Sequence, residues 1–340
     1  MAPLLLLLAC TAPGPSDKDS GFTLGEGPDT LTLPDLSGID LPAAYVAALE
    51  LASQVTLSAA WTGHLASIGR RSATCPDLYV GAVEDAELDM DATGLTWSDY
   101  CQPSGGGAAF SGWTHWDGTV QVDGDPADAA GQTVDASREL SGDSLVSLDG
   151  EAAFELRGEA SESVYRVTAP DYQAWTWSSL VDATVTGSDA FGADQGWRAS
   201  MYLAASGGEA PGLELRGNAY LFSPRIAGRF DSVEVDLTFS PDDTCSLEPR
   251  GWLSLRDEDA FWYDLVFMPA EAEGGDTGAT GGTDLAVCDG CGTLYIRGLE
   301  TVEYGEVCPD LTGWAVEDAA VPDPGAFLLT LREVLAMEGG

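Results

Sequence analysis

"SVEVDLTF", residues 232–239, alternates apolar and polar side chains. Val233, Val235, Leu237 and Phe239 fall on one side of an extended chain, and Glu234, Asp236 and Thr238 on the other. A period of two marks a strand with one face in a core and one in water, the usual condition of an antiparallel sheet. "GLELRGNAYLF" (212–222) does the same, with Leu213 and Leu215 opposite Glu214 and Arg216. The element recurs as "FELRG" (154–158), "LELRG" (213–217), "LSLRD" (253–257) and "LYIRG" (294–298). In each, the arginine faces away from two apolar residues, which predicts a solvent-side position opposite acidic neighbours. The intervals of 59, 40 and 41 residues are too uneven for a stacked repeat, so the elements read as hairpins of one large sheet.

Outward from this block the texture changes. "DLPAAYVAALELAS" has Asp40 as a helix N-cap, a proline two positions on, and Tyr45, Leu49 and Ala52 at helical spacing. "LSAAWTGHLASIG" predicts a second short helix. "EAEGGDTGATGGTD" (271–284) is a low-complexity acidic stretch expected to be a disordered loop. "DPGAFLLTLREVLAM" opens with Asp323 and Pro324 as helix-start residues, predicting a C-terminal helix over 324–338. The expectation is therefore a mainly β fold, a large antiparallel sheet system (sandwich or barrel-like meander) over 75–315. Helices over 41–70 and at the C-terminus complete a single domain, 41–340.

The 340-residue chain carries 14 basic and 56 acidic residues, a formal charge of −42. Such a field repels phosphate backbones and anionic lipid surfaces, so no nucleic-acid partner is expected. The bland account of the acidity is a solvated surface. Calcium is the cation to weigh against it. In "EDAELDMDATG", Asp85, Glu87, Asp89 and Asp91 would project from one face of a strand, and Asp123, Asp125 and Asp128 cluster in a predicted loop. Neither stretch follows the EF-hand order, and calcium needs roughly six to eight oxygens.

"LLLLLACTAPGPS" (4–16) raises the matter of seven cysteines, an odd number. The run ending Leu7-Leu8-Ala9-Cys10 resembles the lipobox of bacterial lipoprotein signal peptides. That resemblance implies a signal peptide over 1–9, a lipid on Cys10, and anchorage to a membrane, the outer one by virtue of Thr11. Residues 10–40, rich in Pro, Gly, Ser and Asp, then form a flexible tether. Nothing later approaches the about 18 apolar residues of a spanning helix.

With Cys10 set aside, Cys75, Cys101, Cys245, Cys288, Cys291 and Cys308 make an even set, which in an exported chain reads as three disulfides. Cys75 with Cys101 is the preferred pair, since only these two lie in the first half. A zinc site on Cys245, Cys288, Cys291 and Cys308 is the alternative, although the second C-x-x-C of a zinc ribbon is missing. Together "CPDLYVG…C" and "C…EPRGWLSLRD…CDGCG…GEVCPD" resemble uncharacterised predicted lipoproteins, a likeness that brings no activity with it.

Enzyme templates fail. His64 and His115 are the only histidines and neither lies in H-E-x-x-H; no G-x-S-x-G and no phosphate-binding Gly-Lys loop occurs. "EVDLTF" (234–239) is similar to the E-x-D-x-x-E active strand of a β-sandwich glycosidase family, but Phe239 replaces the second glutamate. Ten tryptophans suit either sugar stacking or a sheet core. "SGWTHWDG" puts Trp113 and His115 on one face and Trp116 on the other, while Trp175 and Trp177 share a face. No catalytic or cofactor-binding residue is assigned. The expected role is a non-catalytic binding or structural protein of the cell envelope, the alternative an exported glycan-acting hydrolase or carbohydrate-binding module.

Overall fold

The computed structural model describes residues 33–311 apart from short internal stretches, the longest being 188–195, 240–247 and 268–289. The signal peptide, Cys10, most of the tether, Asp125, Asp128, Cys245, Cys288, the 271–284 loop and the 324–338 helix all lie outside the described residues.

Two helices come first, α1 (Leu41–Ala52) and α2 (Leu57–Ile68). Four short strands follow: β1 (Tyr79–Val80), β2 (Val83–Ala86), β3 (Asp89–Thr93) and β4 (Leu95–Ser98). The body of the protein is the next eleven strands. They are β5 (Ala109–Asp123), β6 (Gln132–Leu148), β7 (Glu151–Ala169), β8 (Tyr172–Thr186), β9 (Gly196–Gly207), β10 (Gly212–Leu221), β11 (Phe230–Phe239), β12 (Arg250–Asp257), β13 (Trp262–Phe267), β14 (Gly292–Arg297) and β15 (Thr301–Val307). Each pairs antiparallel with the one before it, so this part of the sheet is a meander in sequence order. Of the forms expected, sandwich or barrel-like meander, the strands form one meandering antiparallel sheet. The second layer is helical.

Local chemistry explains the hairpins. Between β6 and β7 only Asp149 and Gly150 intervene, both with positive φ (53° and 86°), the two-residue turn whose twist matches that of the strands it joins. The stretch around 83–93 folds differently from expectation. It is not one strand but two, with Asp85 opposite Met90 and Ala86 opposite Asp89, so Asp85 lies on one strand and Asp89 and Asp91 on the other, while Glu87 lies outside the described residues.

One face of the meander is the core face. Val233, Val235, Leu237 and Phe239 are buried there, with Leu253 and Leu255 on β12, Leu294 and Ile296 on β14, and Phe154 and Leu156 on β7. The helices cover it in one continuous core, α2 over β6 to β8 and α1 over β10 and β12. Asp40 caps α1 by accepting from the Ala43 N–H at 3.1 Å, and Tyr45, Leu49 and Ala52 are fully buried. The Tyr45 hydroxyl donates to the Tyr263 carbonyl oxygen at 2.8 Å, tying α1 to β13.

The start of α2 is held by charge. Its free N–H groups are satisfied in turn: Leu57 donates to Ser179 Oγ (3.1 Å), Ser58 to Glu162 Oε1 (2.9 Å) and Ala59 to Thr56 Oγ1 (3.2 Å). Glu162 and Arg138 face inward as direct register partners on β7 and β6, and the guanidinium Nη2 lies 2.6 Å from Glu162 Oε2. A carboxylate at a helix N-terminus is favoured by the helix dipole, and the arginine offsets the cost of burying it. Trp61 of α2 stacks on Trp116 of β5 at 4.9 Å, and His64 lies fully buried beside Trp61 (5.2 Å) and Phe154 (6.0 Å).

Disulfides join Cys75 to Cys101 and Cys291 to Cys308. The first is the preferred pairing. The second removes two of the four thiolates a zinc site would need, and it pairs Cys291 across 17 residues in place of its C-x-x-C neighbour.

Candidate functional site

The opposite face of the meander, away from the helices, carries the polar half of every strand. The four arginines of the repeated element stand there, as the alternation predicts. Arg157 meets Glu155 (2.9 Å) and Asp143 (3.6 Å), Arg216 meets Glu214 (2.7 Å) and Asp236 (3.2 Å), and Arg297 meets Asp264 (2.9 Å). Arg256 reaches the Tyr220 hydroxyl at 3.4 Å.

Toward β11 to β14 these contacts close into a network. Asp264 accepts from both Arg297 Nε and Nη2 and from Ser254 Oγ (2.6 Å), while Glu234 lies 3.8 Å from the same guanidinium. Burial raises the Glu234 carboxyl above its usual range against the pull of Arg297, and Asp264 adds to the rise. Arg297 also stacks over Trp262 at 5.0 Å. This is the strand similar to a glycosidase active strand, and the geometry is not that of an acid–nucleophile pair. Phe239 is buried on the other face, and both oxygens of Asp264, the carboxylate across from Glu234, are committed to Arg297 and Ser254.

Toward β5 to β9 the same face opens. A groove of about 780 Å³ crosses the strands there, lined by Trp113, Ser141, Arg157, Glu159, Asp182, Arg198 and Ser200. Strand register places these residues. Trp113, Asp143, Arg157, Thr184 and Arg198 form one transverse row, and His115, Ser141, Glu159, Asp182 and Ser200 the next. Five strands at a spacing of about 4.8 Å give the groove a length of roughly 19 Å.

Its floor is the backbone of the row that lies between these two. Gly142 and Gly158 are register partners and Ala183 and Ala199 continue the row, with the methyl groups of the two alanines turned to the core face. Gly158 has φ +117°, and a Cβ on it would overlap the Asp182 carbonyl oxygen, so only glycine fits. Trp113 stands at the head of the groove, 45% exposed, while Trp116 is buried. Trp175 and Trp177 both point toward the core, so neither is available on this face.

A second groove of about 860 Å³ crosses β6 to β11 alongside the first. Glu159 and Asp182, the two carboxylates of the first groove, face each other directly across β7 and β8 and are both exposed. Both are open to solvent on the sheet surface. The arrangement suits binding by planar polar groups and a ring face.

Among the other sequence candidates, Asp123 is exposed at the end of β5, and among the described residues no three metal-ligating side chains converge. Sequence reasoning singled out Trp113 but missed Glu159, Asp182 and Arg198, whose meeting depends on the pairing of strands and leaves no local signal. Comparison of the chain with protein-family models, with curated proteins and with solved structures finds no match.

Proposed function

We propose that this chain is an exported, non-catalytic binding protein of the cell envelope, anchored to the outer membrane through a lipid on Cys10, and that its ligand is an uncharged glycan. The observation that carries the ligand is the exposed Trp113 ring at the head of a groove lined by ion-pairing planar groups and hydroxyls. A sugar presents an apolar face to such a ring and hydroxyls to the carboxylates and guanidinium groups, which can donate and accept on all sides. The charge of −42 argues against a polyanion, and the carboxylates beside Arg157 neutralise its pull on one. The two disulfides fit an oxidising compartment outside the inner membrane.

Calorimetric titration of the full chain with soluble neutral polysaccharides tests this reading. Binding to at least one of them is expected, weakened tenfold or more by Trp113→Ala with the unfolding transition unchanged. Binding that is indifferent to Trp113, or no binding to any neutral or acidic glycan, overturns it.

A further inference from the structure

The second groove shares no lining residue with the first, yet it runs in the same direction on the same face. Its floor is a ladder of hydroxyls. Ser137, Ser163 and Ser178 are successive register partners on β6 to β8, and Thr119 continues the row on β5, outside the groove. Thr119 Oγ1 and Ser137 Oγ are 3.0 Å apart, and Ser163 Oγ and Ser178 Oγ 2.8 Å. The next row toward the first groove carries Leu180 and Tyr202, direct partners across β8 and β9, and Leu180 is 43% exposed. Tyr202 has its hydroxyl held protonated by partial burial and by Glu214. At the far end stands the Glu214–Arg216 ion pair. Six strands give a length of roughly 24 Å.

Resting on the glycan reading of the first groove, we propose that the second groove is an independent site for a parallel segment of the same class of ligand, a linear uncharged glycan. One protein molecule then holds two chains side by side, each crossing the strands. The chemistry is that of the first site in another form. Short hydroxyls on the floor exchange hydrogen bonds with sugar hydroxyls, and Tyr202 and Leu180 supply the apolar surface that Trp113 supplies in its neighbour. A lipid tail or an amphipathic helix would leave each hydroxyl of the ladder with only its neighbour's bond and its remaining hydrogen-bonding capacity unused, at a cost for every hydroxyl buried. A phosphate-rich polymer meets net negative charge. The grooves abut, with Glu159 and Asp182 of the first in the row next to Ser161 and Leu180 of the second, so two bound segments lie close enough for neighbouring chains of a polysaccharide network.

The test is calorimetry of the full chain with a defined neutral oligosaccharide that binds. The expected stoichiometry is two per protein, falling to one in Trp113→Ala and to one in the double variant Leu180→Asp with Tyr202→Ala. Because the grooves share no residue, retained binding in the first groove shows that the double variant is folded. A stoichiometry of one that Trp113→Ala abolishes, with the double variant binding as the parent does, overturns the second site and leaves the glycan reading standing. Absence of binding to every glycan overturns both.

Discussion

His64 should make this protein acid-sensitive through a single buried ring. The imidazole is fully buried on α2 between Trp61 and Phe154, and burial lowers its pKa from 6.5 to about 3. In the unfolded chain it takes up a proton near pH 6.5; in the folded chain it stays neutral. Below pH 6.5 the unfolded state therefore binds more protons, and stability falls as pH falls until the folded pKa is reached. Each unit of separation is worth about 1.4 kcal/mol, so the loss is roughly 2 kcal/mol by pH 5 and approaches roughly 5 kcal/mol near pH 3. Against a total stability of about 5–15 kcal/mol, that is a large share. The many carboxylates push the other way, because protonating them relieves repulsion in a chain of charge −42. The informative quantity is therefore a difference of differences. Denaturant unfolding of the parent and of His64→Leu is measured at pH 7, 5 and 4 at fixed ionic strength with the disulfides intact. Between pH 7 and 5 the parent should lose about 2 kcal/mol more than the variant. Equal losses would refute the assignment of this acid sensitivity to His64.

Other perturbations follow from the same structure. Glu234 has a folded pKa raised above 4.5, so its contribution is most favourable below the unfolded pKa and is lost as pH rises through the folded one. Glu234→Gln should accordingly be at least as stable as the parent at neutral pH in thermal unfolding, with the advantage shrinking toward pH 4.5. Gly158→Ala should lower stability by at least about 2 kcal/mol, because it adds a positive-φ penalty to overlap with the Asp182 carbonyl. Gly150→Ala, at φ +86° with open space around it, should cost about 1 kcal/mol, both variants measured by urea titration. Expressed in a Gram-negative host, the protein should label with a fatty-acid analogue and enter the membrane fraction. Cys10→Ala should abolish both, and equal labelling of the variant would remove the anchor.

What could be read without coordinates was whatever depends on neighbours along the chain. The alternation in "SVEVDLTF" determined which side chains of β11 enter the core, because successive residues of a strand point to opposite faces whatever the strand pairs with. Asp40 and the proline after it marked the start of α1 because a cap satisfies the helix's own first N–H groups. The odd cysteine and the apolar run before it suggested an anchor by the same local logic. Alternation could also place Arg157, Arg216, Arg256 and Arg297 on the solvent side. It could not foresee the inward Arg138 and Glu162. Their burial is tolerable only because α2, about a hundred residues earlier, brings its free N–H groups to that point of the sheet. The grooves belong to the same class of fact. Trp113, Arg157, Asp182 and Arg198 lie on four different strands, and a shift of one residue in any pairing would turn a strand's side chains to the other face. Register is set by turns, glycine kinks and the packing of the whole core face against two helices. The sequence alone determined the strands, and the tertiary structure decided which residues meet.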